Sequence, residues 1–267
     1  MLQTDSTNQI ATNKASGAPS TKPRIFAEFI NSEQEIREAQ RLRYDVFCEE
    51  YNVELPVNMY WNGQPIDIDD LDDHCLHLVV RTQEDSEIIG YTRVLTCDLA
   101  ARFGHYYSSH EFDIHKIISR PGRFLEIGRT CIHPKYRNGA TIAVLWAQLA
   151  NFMQENDYQY LFGCASVSLD DGGTTLSALM PVIREKYMAD ACYRVEPKVP
   201  LTLTESCPET KAIFPPLLKA YTRMGARICG EACWDPDFNV ADLFVLLDVN
   251  HVSARYAKHF LKPKQAA

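Results

Sequence analysis

An α/β (α+β) fold, a β-sheet flanked by helices, is predicted for this 267-residue chain from three patterns. Two apolar runs, Cys75–Arg81 and Ile88–Leu95, are divided by a short polar turn and form an antiparallel hairpin. The run Phe124–His133 stops at Pro134, and the apolar, helix-periodic segment Thr141–Glu155 follows within a few residues. A further strand, Tyr158–Ser168, precedes another helical segment, so strands and helices alternate through the middle of the chain.

In chain order, the first 23 residues are rich in Ser, Thr, Asn, Gln and Ala and lack the apolar core of a signal peptide. They are expected to be a disordered leader. Ile25–Ile30 is a short strand. Ser32 caps the next helix, with Glu35 completing a Ser-x-x-Glu box. Ile36, Ala39, Val46 and Phe47 form its apolar stripe, and Arg43 falls inside that stripe. A buried guanidinium is costly unless paired, so an acidic partner is expected. Asn52–Asp73 is an acidic loop carrying Asp67, Asp69, Asp70, Asp72 and Asp73. After the strands already named, a helix from about Thr175 to Tyr187 is expected to be interrupted by Pro181. A Pro-rich crossing spans Pro197–Pro216, and a helix at Leu217–Met224 is closed by Gly225. Strands at Ala226–Cys229 and Asp242–Val249 and a helix at His251–Leu261 complete the chain. With no repeat and no linker, residues 24–262 are expected to form one domain, with 263–267 as a tail.

The net charge of -8 argues against general nucleic-acid binding, although local basic patches can still steer an acidic protein partner. Nine cysteines at irregular spacing form no disulfide framework, which points to reduced thiols and a cytoplasmic setting. Cys229 and Cys233 are four apart without a second ligand pair, so no metal is expected. No run approaches the ~18 apolar residues of a membrane span.

The chemistry concentrates between Phe124 and Ala140. Glu126 and Arg129 lie in an apolar strand, where they could form a structural ion pair or catalytic groups. Strict alternation would put them on opposite faces; a bulge at Gly128 would turn both into one cleft and free backbone donors for an oxyanion. The Arg137-Asn138-Gly139-Ala140 turn opens the next helix. It could be a plain cap with Asn138 as N-cap, or its small residues could admit a pantetheine arm while Arg137 meets the phosphate. Asp69 and Asp72 could form a solvated turn, hold a cationic ligand group, or pair with Arg43 and Arg93. Cys164 reads as a buried strand cysteine rather than a nucleophile. Together these features suit transfer of an acyl group from a thioester to an amine.

Five separated segments resemble a known group. They are Ala39–Phe47, Cys75–Val80, Leu125–Pro134 with Tyr136–Ala140, Tyr160–Ser166, and Asp235–Asn239. In these the chain resembles the bacterial ornithine-lipid-forming L-ornithine N-alpha-acyltransferases of the GNAT superfamily, from about Arg24 to Phe260. A departure is Leu76, where that family usually has an acidic residue. A more distant likeness is to acyl-homoserine lactone synthases, whose helix Arg and Phe match Arg43 and Phe47. Their spaced aspartates match Asp69 and Asp72, their strand arginine Arg93, and their Glu-x-x-Arg Glu126 and Arg129.

The resemblance implies a GNAT fold with a mixed, mostly antiparallel central sheet. It implies transfer of a 3-hydroxyacyl group from acyl carrier protein to the alpha-amine of L-ornithine. The donor is the acyl-phosphopantetheine of the carrier, with no bound cofactor. Glu126 and Arg129 would be catalytic, Arg43, Phe47, Asp69, Asp72 and Arg93 would serve the substrate, and Arg137, Asn138, Gly139 and Ala140 the pantetheine. Arg120, Arg123, Lys135 and Arg137 are candidates for docking the acidic carrier. Lys258, Lys262 and Lys264 beside Phe260 and Leu261 suggest peripheral contact with an anionic membrane face.

Overall fold

The computed structural model describes residues 23–50, 59–202 and 211–252. The predicted leader up to residue 22, the C-terminal helix from Ser253, its lysines and the tail lie outside these. The elements run β1 (Ile25–Ile30), α1 (Glu33–Tyr44), β2 (Met59–Trp61), β3 (Gln64–Ile66), β4 (Leu76–Thr82) and β5 (Ile88–Thr96). Then come α2 (Cys97–Phe103), β6 (Phe112–Asp113), α3 (His115–Ile118), β7 (Phe124–Ile132), α4 (Ala140–Glu155) and β8 (Tyr160–Ser168). The chain continues through α5 (Thr174–Lys186), β9 (Glu196–Pro197), α6 (Pro216–Met224), β10 (Arg227–Ile228), β11 (Cys233–Asp235) and β12 (Val240–Asp248).

The main sheet has the order β1-β4-β5-β7-β8-β12-β10, with β11 paired to β12. Its pairs are antiparallel except β7 with β8, which run parallel. The predicted hairpin is β4–β5, and the predicted cap stands: Ser32 accepts from the Glu35 N–H, while its hydroxyl donates to the Glu35 carboxylate at 2.5 Å. On one face of the sheet α4, α5 and α6 bury Leu145, Leu149, Leu179, Ile183 and Leu218 against Leu125, Leu161 and Leu243. On the other face α2 and α3 join Phe124, Phe162 and Phe244, and α1 packs on Val79 and Tyr91.

Three readings are corrected. α5 is not interrupted by Pro181, which sits inside the helix at an exposed position. The ring costs the Ser177 carbonyl a backbone donor, and buried Leu176, Leu179, Met180 and Ile183 offset that loss. The acidic loop contains the β2–β3 hairpin. The stretch between β5 and β7, without assigned elements in the sequence, folds into α2, α3 and short turns.

The feature that creates a site is the parting of β7 from β8. They pair only from Phe124 to Glu126 against Tyr160 to Phe162. Beyond that, β7 stays with β5 and β8 stays with β12. Gly163 lies at the point of divergence, and a Cβ there would stand 2.4 Å from the Ile127 carbonyl oxygen. That neighbour is backbone and has little room to yield. Gly163→Ala is expected to destabilise the fold by about 1–3 kcal/mol, measured by thermal denaturation; an unchanged melting temperature would refute this account of the parting.

Candidate active site

Glu126 is the last residue of β7 paired to β8, and only 3% of it is exposed. One carboxylate oxygen accepts from the Ser108 N–H (2.7 Å) and the Ser108 hydroxyl (2.5 Å), the other from the Tyr107 N–H (2.8 Å). A carboxylate offers about four lone-pair sites, so one on the second oxygen is left over. Burial pushes the Glu126 pKa above the ordinary carboxylate value, while the three donors pull against that shift. Glu126 lines a small pocket with Leu71, Cys75, Arg93, Leu95, Tyr107 and Gly128.

Beside it lies a buried ionic cluster. Arg43, fully buried, donates through Nε to Asp67 (2.9 Å) and through Nη1 to Asp72 (2.6 Å). Arg93 donates to the same Asp72 oxygen (2.9 Å) and to Asp69. Gln40 satisfies the other Asp72 oxygen at 2.9 Å. Burial pushes the Asp72 pKa up, but Arg43 and Arg93 outweigh it and hold the carboxyl well below the usual range. His77 bridges the Asp72 carbonyl (3.0 Å) and the Tyr91 hydroxyl (2.8 Å), and burial lowers its pKa, so it stays neutral. The partner expected for Arg43 is therefore Asp67 with Asp72. Asp69 and Asp72 are not a solvated turn; they brace arginines.

Arg129 completes this cluster rather than pairing with Glu126. β7 carries a bulge, with Gly128 opposite Arg93 and Cys131 opposite Tyr91. The residue in the left-handed region is Arg129 (φ 52°), not Gly128. Its guanidinium lies 3.5 Å from Asp67, 3.4 Å from Asp69, and over the rings of Tyr107 and Phe238. Arg129 thus meets the ring of Tyr107, while Glu126 accepts the Tyr107 backbone N–H. Three guanidinium groups balance three carboxylates in the cluster. Phe47 is half-buried against the Val79–Tyr91 cluster.

The turn after β7 is exposed. Gly139 (φ 86°), not Asn138, takes the cap position of α4, and Asn138 caps from one residue earlier by accepting the Ala140 N–H at 3.0 Å. A side chain at Gly139 would find open space, so glycine is needed there for its backbone angle. Arg137 donates through Nε to the Ile132 carbonyl at 2.9 Å. Arg123 is paired with Asp98 (2.6 Å) and Arg120 lies over Tyr193 (4.0 Å). Lys135 is exposed.

Where the strands part, an apolar cavity is lined by Ile127, Trp146, Gly163, Cys164, Tyr221 and Met224, among others. Cys164 joins this cavity to the Glu126 side: its thiol donates to the Ser108 hydroxyl (3.4 Å), which in turn donates to Glu126. Burial pushes the Cys164 thiol well above its usual pKa, which removes the thiolate a nucleophile requires. Tyr107 and Ser108 carry no motif and were beyond sequence reasoning. Asp242 did leave a signal, a carboxylate inside a predicted apolar strand, as Glu126 did.

The chain matches the Acetyltransferase (GNAT) domain family over residues 42–147. It is 32% identical over 243 residues to the L-ornithine N(alpha)-acyltransferase of Rhizobium meliloti, covering 86% of this chain and 81% of that one. It is 33% identical over 241 residues to the enzyme of the same name from Agrobacterium fabrum, covering 86% and 82%. The crystal structure of the AHL synthase LasI shares the fold, with a TM-score of 0.51 at 12% identity over 92% of this chain and 100% of that one. The parted sheet, the strand carboxylate and these relatives place the chain in the L-ornithine N(alpha)-acyltransferase family of GNAT enzymes.

Proposed function

We propose that the protein moves a 3-hydroxyacyl group from acyl carrier protein to the alpha-amine of L-ornithine, giving lyso-ornithine lipid. The relatives' names support the acceptor. The observation that carries the chemistry is a buried carboxylate, Glu126, beside the parting of β7 and β8 and linked by Ser108 and Cys164 to an apolar cavity.

In this reading the acyl chain enters the apolar cavity, which removes it from water. The pantetheine arm follows the parting, and its phosphate meets the exposed start of α4. Glu126 takes a proton from the ammonium, directly or through one water, at its remaining lone-pair site. The freed amine attacks the thioester carbonyl; the C–N bond forms and the C–S bond breaks. As the C–N bond forms the nitrogen sheds a second proton; of the two protons released, one passes to the carrier thiolate and the other leaves to solvent. An alpha-amine titrates near ~8 and a side-chain amine near ~10, so the alpha-amine is the easier to deprotonate. The arginine–aspartate cluster fixes the floor of the pocket. The thioester supplies the driving force, so the reaction calls on no resident cofactor.

The test is incubation of purified protein with 3-hydroxyacyl carrier protein and a panel of amino acids, with products read by mass spectrometry. An N-alpha-acyl product from ornithine alone is expected. Acylation of a different amino acid in preference to ornithine overturns the acceptor, and turnover with acyl-coenzyme A but not the carrier overturns the donor. At the α4 start, Arg137→Ala is expected to raise the KM for the carrier about tenfold, on the order of 1.4 kcal/mol. The effect should shrink at high salt; an unchanged KM would remove Arg137 from the donor site.

A further inference from the structure

Three carboxylates next to Glu126 have no part in the reaction as described. Glu111 precedes β6, Asp235 ends β11 and Asp242 lies in β12. One oxygen from each lies within 4.8 Å of the other two. Resting on the acceptor reading above, we propose that Glu111, Asp235 and Asp242 seat the side-chain ammonium of a diamino-acid acceptor.

Asp242 is 3% exposed, and the donor reaching it is the Ser166 hydroxyl at 2.7 Å, on one oxygen. Its other oxygen has no donor among the described residues. Glu111 Oε2 is buried and likewise has no hydrogen-bond partner. Asp235 uses one oxygen to accept the N–H groups of Asp237 (2.9 Å) and Phe238 (3.2 Å), which fixes its loop. Among the described residues no Lys, Arg or His forms an ion pair with any of the three. The cation whose charge reaches Asp242 is Arg129, already committed to Asp67 and Asp69. Burial and the neighbouring Asp242 push the Glu111 pKa up, and burial raises that of Asp242. Such mutual repulsion is relieved by a cation placed between the groups.

The shape fits an alkylammonium, whose three N–H donors can each meet one carboxylate. The location fits as well. Cys164 contacts Ser108, which holds Glu126, and the charge of Glu111 acts on both Cys164 and Glu126, so the two carboxyl groups lie about one Ser108–Cys164 pair. A short diamino acid lying across that pair has its alpha-amine at Glu126 and its far ammonium in the acidic seat. The far nitrogen stays protonated and cannot attack, which fixes the site of acylation.

The test compares ornithine with norvaline, the same skeleton without the terminal amine, in the full-length enzyme and in folded Asp242→Asn and Glu111→Gln variants. The wild type is expected to favour ornithine by about 100-fold in kcat/KM, and each variant to lower that ratio at least about tenfold. An unchanged ratio in folded variants overturns the seat, as does a wild type that acylates both acceptors equally. Thermal shift of the wild type supplies a second measurement that does not depend on turnover or on the variants folding. Millimolar n-butylammonium should stabilise it, and tetramethylammonium, which has no N–H, should not. No shift with butylammonium, or a shift with magnesium or calcium chloride alone, overturns the seat. A wild type that acylates no amino acid counts against the acceptor reading, and the butylammonium shift still decides the seat.

Discussion

Glu126→Gln is expected to lower kcat by about 10²–10⁴-fold, the contribution of a positioned general base. The amide cannot take the proton from the acceptor ammonium. It also replaces one acceptor oxygen by an NH2 group that faces an N–H of Tyr107 or Ser108. That mismatch leaves a buried donor unpaired, at about 1–3 kcal/mol. The variant should therefore melt lower yet remain folded at assay temperature, which circular dichroism checks alongside kinetics. The pH profile separates the two effects. Burial raises the Glu126 pKa, so its base form is lost as pH falls through a value above the ordinary carboxylate range. Wild-type kcat/KM should fall on that acid limb, and the limb should be missing in the variant. A kcat within threefold of wild type would falsify the base role and leave Glu126 as the anchor of the Tyr107–Ser108 turn.

Arg43→Leu is expected to cost about 3–5 kcal/mol, because removing one partner of a buried ion pair strands the others. Asp67 loses its 2.9 Å donor and Asp72 its 2.6 Å donor, and both are almost fully buried. For a chain of this size the melting temperature should drop on the order of 10 °C. The sign with pH follows from Asp72, whose pKa is lowered on folding. Its stabilisation is present above the unfolded carboxylate value near ~4 and is lost as pH falls through the folded one. The gap between wild type and variant should be widest near neutrality and should narrow in acid. A gap that widens in acid would show that the cluster is not what Arg43 holds together.

Within the described residues, the sequence by itself determined the strands β1, β4, β5, β7, β8, β10 and β12, the helices α1, α4, α5 and α6, and the caps at Ser32 and Gly225. These follow from period, capping residues and turn chemistry, all local along the chain. It also determined that Arg43 must have an acidic partner, since a charge on an apolar stripe has no other stable arrangement. Glu126 stood out for the same reason, and so, in its strand, did Asp242. Which groups meet was decided only by tertiary structure. Arg129 lies one residue beyond Gly128, and a bulge opposite Thr92 turned it to Asp67 and Asp69 rather than to Glu126. Glu126 is held by Tyr107 and Ser108, from a stretch with no periodic pattern, because the parting of β7 and β8 leaves that face to be closed by a turn. The acidic group of Glu111, Asp235 and Asp242 joins residues more than 120 positions apart, as the Cys233 contact to the Glu111 carbonyl across the same gap shows. Local pattern tells which residues are costly to bury. The sheet order decides which of them share that cost.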